Sequence, residues 1–203
     1  MNNSYQEYLN FANKLADAAS VTSMQYFRTS LDIVNKSDQS PVTIADKNTE
    51  LKIRSMIEKE YPSHGILGEE FDNINSNAEF IWVIDPIDGT RSYIAGHKDF
   101  GNLISLTHNK KPIIGIINCP AHNERWVGVK DQISTYNKQP TQSSKIINIE
   151  DAYLFTSGLY FDEPNLRNAV KKLNKKVKYY RYGGDCYMYG LVASGLIDIV
   201  IED

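Results

Sequence analysis

The chain has 203 residues, 41% of them hydrophobic and 23% charged, with a formal net charge of -3. That length suits one globular domain or two small ones, and the composition is that of a folded protein, not a disordered one. A negative balance gives no broad affinity for nucleic acid or anionic membrane, no apolar run approaches the roughly 18 residues of a membrane span, and the polar start MNNSYQEYLN lacks a signal-peptide pattern.

In chain order, apolar residues at Tyr8, Phe11, Ala12, Leu15, Ala19 and Val21 recur at three or four and predict a helix from Tyr5 to about Arg28. A turn-prone stretch covers Asn35 to Pro41. A second helix is predicted from about Thr43 to Tyr61, with Leu51, Ile53, Met56 and Ile57 inward and Pro62 ending it. Strands follow at Gly65–Gly68, Phe80–Ile84, Asn102–Thr107, Pro112–Asn118 and Arg125–Val129, the third and fourth joined as a hairpin through His108–Lys111. Residues 131–148 are polar and read as short strands and loops. Beyond them the pattern gives a strand at Ala152–Ser157, a helix at Glu163–Asn174, a strand at Lys178–Arg181, a helix at Tyr187–Ser194 closed by Gly195, and a strand at Ile197–Ile201. Helices before a sheet, then sheet mixed with helix, predict a layered α/β (α+β) sandwich.

The chemistry is concentrated in Trp82-Val83-Ile84-Asp85-Pro86-Ile87-Asp88-Gly89-Thr90. Two carboxylates three apart, just past a short apolar run, can share a hard divalent cation. The amides of the Gly-Thr turn can hold a phosphate where a helix starts. Asp46 and the pair Glu69-Glu70, after the short strand ending at Gly68, supply further carboxylates. Each has an ordinary alternative: Asp46 as a helix-start residue, Glu69 and Glu70 as solvated charges, Asp85-Pro86 as a turn starter, Gly89-Thr90 as a cap. Their joint occurrence favours a metal-dependent phosphatase. Cys119 and Cys186 are too few for a disulfide framework and fit the reduced thiols of a cytoplasmic protein. His64, His97, His108 and His122 lack metal-ligand spacing and read as surface or loop residues. Lys171–Lys176 reads as a solvated helix end, the tyrosines of Tyr179-Tyr180-Arg181-Tyr182 as packing, and Met188 and Tyr189 as core.

Ser40-Pro41-Val42-Thr43-Ile44-Ala45-Asp46, Gly68-Glu69-Glu70 and Asp85-Pro86-Ile87-Asp88-Gly89-Thr90 together resemble the inositol monophosphatase family of Mg2+-dependent, lithium-sensitive phosphatases. The segments 88–96, 124–129 and 181–187 are most similar to its histidinol-phosphate phosphatases. The resemblance covers essentially the whole chain and implies an αβαβα sandwich, cytoplasmic and commonly dimeric, acting on a small phosphorylated substrate. It implies a first Mg2+ on Glu69, Asp85 and the Ile87 carbonyl, a second on Asp85 and Asp88, and a loosely held third near Glu69. Asp46 and Thr90 would activate the attacking water, and the Gly89 and Thr90 amides would hold the phosphate. Glu202 and Asp185 would meet the organic part of the substrate, and Glu70 would support the ligands from behind.

The family pattern continues past this sequence. A further aspartate that completes the second metal site follows the position of Glu202, and Asp203 adjoins Glu202 too closely to be it. Residues 1–203 are therefore expected to form one C-terminally truncated domain: an α+β half over about 1–140 and the start of a second half over about 141–203. The second cation site is expected to be incomplete, and the 197–201 strand to have an exposed flank that invites association. A fragment of a longer product is favoured over a natural short form. Histidinol phosphate is the leading substrate, inositol or another sugar or nucleotide phosphate the alternative, and a non-catalytic remnant the reading from a different class.

Overall fold

The computed structural model describes residues 5–30, 33–35, 41–158 and 163–202. Its elements in order are α1 (Gln6–Tyr26), β1 (Ile33–Asn35), β2 (Pro41–Thr43), α2 (Ile44–Glu60), β3 (Gly65–Leu67), β4 (Phe80–Asp88), α3 (Thr90–Ile94), β5 (Gly101–His108), β6 (Lys111–Cys119) and β7 (Glu124–Val129). They continue as β8 (Thr135–Tyr136), β9 (Gln139–Pro140), β10 (Tyr153–Thr156), α4 (Pro164–Asn174), β11 (Tyr179–Tyr182), α5 (Tyr187–Ala193) and β12 (Ile199–Val200). The turn-prone stretch is a β1–β2 antiparallel pair at its described ends; residues 36–40 and Asp203 lie outside the described residues.

A seven-stranded mixed sheet, in the order β3-β4-β5-β6-β7-β8-β9, is parallel only at β3–β4. α1 and α2 cover one face. Phe11, Leu15, Ala16 and Ala19 of α1 and Ile53 and Ile57 of α2 meet Trp82, Ile84, Ile104, Leu106, Ile114 and Ile116 in one apolar core. The alternating pattern of β5 and β6 follows from one face being buried. Their connection is a two-residue turn, Asn109-Lys110, with φ of 50° and 63°, the left-handed pair whose twist matches a hairpin. A second sheet, β11-β10-β12, is parallel, and α5 packs against β6, β7 and β12 between the two sheets. This is the expected α/β sandwich.

Several expectations shift. Val21 is 64% exposed and Leu51 49%, because the buried stripes run through Ala19 and Ser23 on α1 and through Ile53 and Ile57 on α2. β4 extends through Asp88 and does not stop at Ile84. The last strand is only Ile199–Val200. Tyr179, Tyr180 and Tyr182 are exposed, since among the described residues β11 pairs with β10 alone. Met188 is buried as expected; Tyr189 is not. The lysines of residues 171–176 are exposed, as a solvated helix end should be.

His64 is not a surface histidine. Its ring stacks between Tyr61 (4.7 Å) and Phe80 (5.1 Å), with Tyr8 of α1 alongside. Trp82 Nε1 donates to its Nδ1 at 3.2 Å. An indole N–H can only donate, so Nδ1 must be bare and the ring neutral. Burial accordingly lowers its pKa from 6.5, against the opposing pull of Glu79. The folded state binds the proton less readily than the unfolded chain, so this stability is present above pH 6.5 and lost as pH falls below it. The raised carboxylates described below act in the opposite direction. The expected result is therefore a difference: between pH 7.5 and pH 5.5 the urea midpoint of the wild type shifts downward relative to that of His64→Gln, which keeps an acceptor but cannot titrate. Parallel midpoints would refute the neutral ring.

Candidate active site

The site is built at the β3–β4 end of the large sheet. Parallel pairing sets Leu67 beside Val83, so the loop that follows β3 runs past Asp85. That loop is pinned by a residue on α2. Glu50, fully buried, accepts the amides of Glu69 (3.0 Å) and Glu70 (2.8 Å) on one oxygen and Arg54 Nε (2.7 Å) on the other. Arg54 donates onward to the carbonyls of Asp72 and Phe71, both at 3.0 Å. Gly68 is required here, because a Cβ would lie 1.9 Å from Glu50 Oε1.

In an unbroken strand, residues three apart point to opposite faces. β4 avoids this. Its register against β5 slips between Asp85, opposite Leu103, and Asp88, opposite Gly101. Such a bulge re-aims side chains. Asn102 Nδ2 holds it by donating to the Pro86 carbonyl at 2.7 Å, and Asn118 Nδ2 donates in turn to Asn102 Oδ1 at 2.9 Å. Asp85 and Asp88 then repel one another electrostatically. Among the described residues, Asp85 Oδ1 is buried with no hydrogen-bond partner. Burial, then Glu69, Asp88 and Asp46, push the Asp85 carboxyl up to about 9. Glu69 is within hydrogen-bonding reach of it.

Asp46 sits at the start of α2 in a capping box with Thr43. Its Oδ2 accepts the Thr43 hydroxyl (2.6 Å) and amide (2.8 Å). Its Oδ1 faces the Thr90 hydroxyl at 3.4 Å, which also reaches the Ile87 carbonyl at 3.1 Å. Burial raises the Asp46 pKa, opposed by Thr43. Burial also raises Asp88, opposed by the Cys186 amide, which donates to it at 2.6 Å.

Gly89 has φ of 79° and precedes α3. A Cβ there would be 2.9 Å from the Asp185 side chain, so the left-handed turn and the close approach both demand glycine. The first amides of a helix have no partner within it, which leaves those of Gly89 and Thr90 at the site. Tyr93 of α3 is anchored by its hydroxyl to the Ser23 carbonyl at 2.6 Å. Asp185 accepts Ser92 Oγ at 2.5 Å, and burial raises its pKa. Glu202 accepts Tyr189 Oη at 2.7 Å and lies close enough to raise both Asp88 and Asp185.

All the sequence-predicted residues therefore surround one locus: Asp46, Glu69, Asp85, Ile87, Asp88, Gly89 and Thr90 at its centre, Asp185 and Glu202 at its edge, and Glu70 behind through its amide. Sequence reasoning missed Glu50, Arg54, Asn102, Ser92 and the Cys186 amide. Glu50 and Arg54 stand four apart on α2, a spacing that by itself carries no sign of burial. The donor set is all oxygen, which suits Mg2+ or a similar hard cation. Among the described residues no three acidic, histidine or cysteine side chains are drawn into a closed metal cage. The partnerless, buried Asp85 oxygen among like charges still fits a cation, since a buried carboxylate that lacks the donors and basic partner Glu50 has is stabilised by protonation or by a bound cation.

The family model described as the inositol monophosphatase family matches residues 4–203. The chain is 42% identical over 192 residues to the chloroplastic bifunctional phosphatase IMPL2 of Arabidopsis thaliana, covering 94% of this chain and 56% of that protein. It is 37% identical over 196 residues to a histidinol-phosphatase of Chlorobaculum parvum, covering 96% of this chain and 76% of the relative. The solved structure of an inositol monophosphatase from Zymomonas mobilis superposes with a TM-score of 0.87 at 39% identity, covering 98% of this chain and 77% of that one. These relatives are named as phosphatases. No helix among the described residues is long and apolar enough to cross a membrane. With the carboxylates gathered by the bulge and the pinned loop, and a match running from residue 4 to residue 203, the chain belongs to the inositol monophosphatase family.

Proposed function

We propose that this chain hydrolyses a small phosphate monoester with Mg2+, histidinol phosphate being the leading substrate. The observation that carries the reading is the buried, partnerless Asp85 oxygen beside Glu69 and Asp88, next to the Gly89-Thr90 turn. Glu69, Asp85, Asp88 and the Ile87 carbonyl would hold the cation. When bound, it supplies positive charge to the phosphoryl oxygens and acidifies water. The Gly89 and Thr90 amides hold the phosphate in place, since phosphoryl transfer depends on positioning and charge neutralisation. Asp46 accepts a hydrogen bond from the Thr90 hydroxyl, which leaves the Thr90 oxygen's lone pairs free to accept a hydrogen bond from the attacking water and orient it. Asp185 and Glu202 face the organic half of the ester. Two neighbouring carboxylates there favour a cationic amino group, which histidinol phosphate carries and inositol phosphate lacks.

Phosphate release is expected to require Mg2+, to stop with chelator, to fall with Li+, and to favour histidinol phosphate over inositol phosphate in kcat/KM. Activity indifferent to chelation would remove the cation from the reading. Preference for inositol phosphate would remove the amino-group argument alone.

A further inference from the structure

A cavity of about 460 Å³ opens beside Asp185, with His97, Asp99, His122, Arg181, Tyr187 and Met188 among its lining. Asp185 follows Gly184 of the lining and links it to the phosphate turn: its side chain would meet a Cβ placed on Gly89 at 2.9 Å, and its carboxylate feels Asp99 and His97. The floor is orderly. Asp99 Oδ1 meets His122 Nε2 at 2.9 Å, and its other oxygen is 3.5 Å from His97 Nδ1. The His122 ring stacks on Tyr187, the first residue of α5, at 4.6 Å and 26°. Tyr187 is in turn edge-on to the buried Trp126 at 5.6 Å. The cations stand at the exposed rim and two are already engaged: Arg28 donates to the Gly96 carbonyl, and Arg181 lies over Phe155.

We infer that this cavity is the subsite for the organic half of the substrate, and that His122, fixed by Asp99 and Tyr187, is a specificity-determining wall that selects a planar nitrogen heterocycle over a polyol. The inference rests on the phosphatase reading and deepens it. Flat, immobilised ring faces offer a planar ligand offset stacking at little entropic cost. A polyol has no flat face to lay against them. The Asp99 carboxylate of the lining and Asp185 next to it supply acceptors for ring and amino N–H donors.

The test measures kcat and KM for histidinol phosphate, inositol 1-phosphate and glycerol 2-phosphate, with fructose 1,6-bisphosphate as competitor, in the wild type, His122→Ala and Asp99→Asn. The ratio of kcat/KM for histidinol phosphate over glycerol phosphate is expected to fall about tenfold in His122→Ala, the range a few pocket contacts supply. The fall should be carried by KM, with a smaller change in Asp99→Asn. An unchanged ratio, equal losses on all three esters, or a bisphosphate bound tightly and independently of His122 would overturn the subsite. Calorimetric binding of histidinol itself separates this from the phosphatase reading. Should no ester be turned over, the hydrolase reading fails alone, and histidinol binding weakened about tenfold by His122→Ala still supports the subsite. Histidinol binding that is absent or indifferent to the variant overturns it.

Discussion

Asp85→Asn is expected to lower phosphate release by about 10³-fold or more while raising the melting temperature of the metal-free protein. Both effects follow from one carboxylate. Its burial and the charges of Glu69, Asp88 and Asp46 make ionised Asp85 unfavourable in the folded state. The amide removes that repulsion at nearly constant volume and can donate to its neighbours. A gain of about 1 kcal/mol would raise the melting temperature by about 2–4 °C at this chain length. The loss of activity follows because an amide is a weak ligand for a hard cation and leaves the phosphoryl charge unopposed. Added Mg2+ should raise the wild-type melting temperature by mass action and leave that of the variant in place. A variant that retains turnover, or that melts below the wild type, would show that the cluster is not organised for a cation.

Glu50→Ala is expected to cost about 3–5 kcal/mol, the usual penalty for breaking a buried ion pair from one side. The Arg54 side chain is only 6% exposed and would lose its counter-charge, and the amides of Glu69 and Glu70 would lose their acceptor. The melting temperature should drop by roughly 6–20 °C. The functional effect is separable from the loss of fold. At temperatures where the variant is folded, the Mg2+ concentration for half-maximal activity should rise, because the loop that places Glu69 is no longer fixed. Gly68→Ala provides an independent route to the same signature, since its Cβ would displace Glu50 from within α2's contact with the loop. Unaltered Mg2+ dependence in both variants would reduce Glu50 to a purely stabilising group.

Much of the fold was readable because helical and alternating periods are direct consequences of one-sided burial. α1 and the β5–β6 hairpin lie where the pattern puts them, whereas Asp85 to Asp88, expected just past a strand, fall inside β4. What escaped was tertiary. The bulge that brings Asp85 and Asp88 together inside β4 depends on Asn102, a residue from the next strand that carries no local signal. Glu50 meets the Glu69 and Glu70 amides only because the β3 loop folds back over α2. His64 follows a helix end in a polar turn and reads as exposed. The rings of Tyr8, Tyr61, Phe80 and Trp82, distant in sequence, enclose it. Conversely, the tyrosines of β11 looked like packing because aromatic residues normally are, and the strand pairing leaves them uncovered.

The capping box at the head of α2 gives one carboxylate two employers. Asp46 closes the helix N-terminus through Thr43 and faces Thr90 with its remaining oxygen. On the function proposed above, folding and turnover make separate demands on position 46 through different atoms of the same group. A library screened solely for soluble expression should retain acidic or amide side chains at that codon, although nothing in the screen rewards hydrolysis.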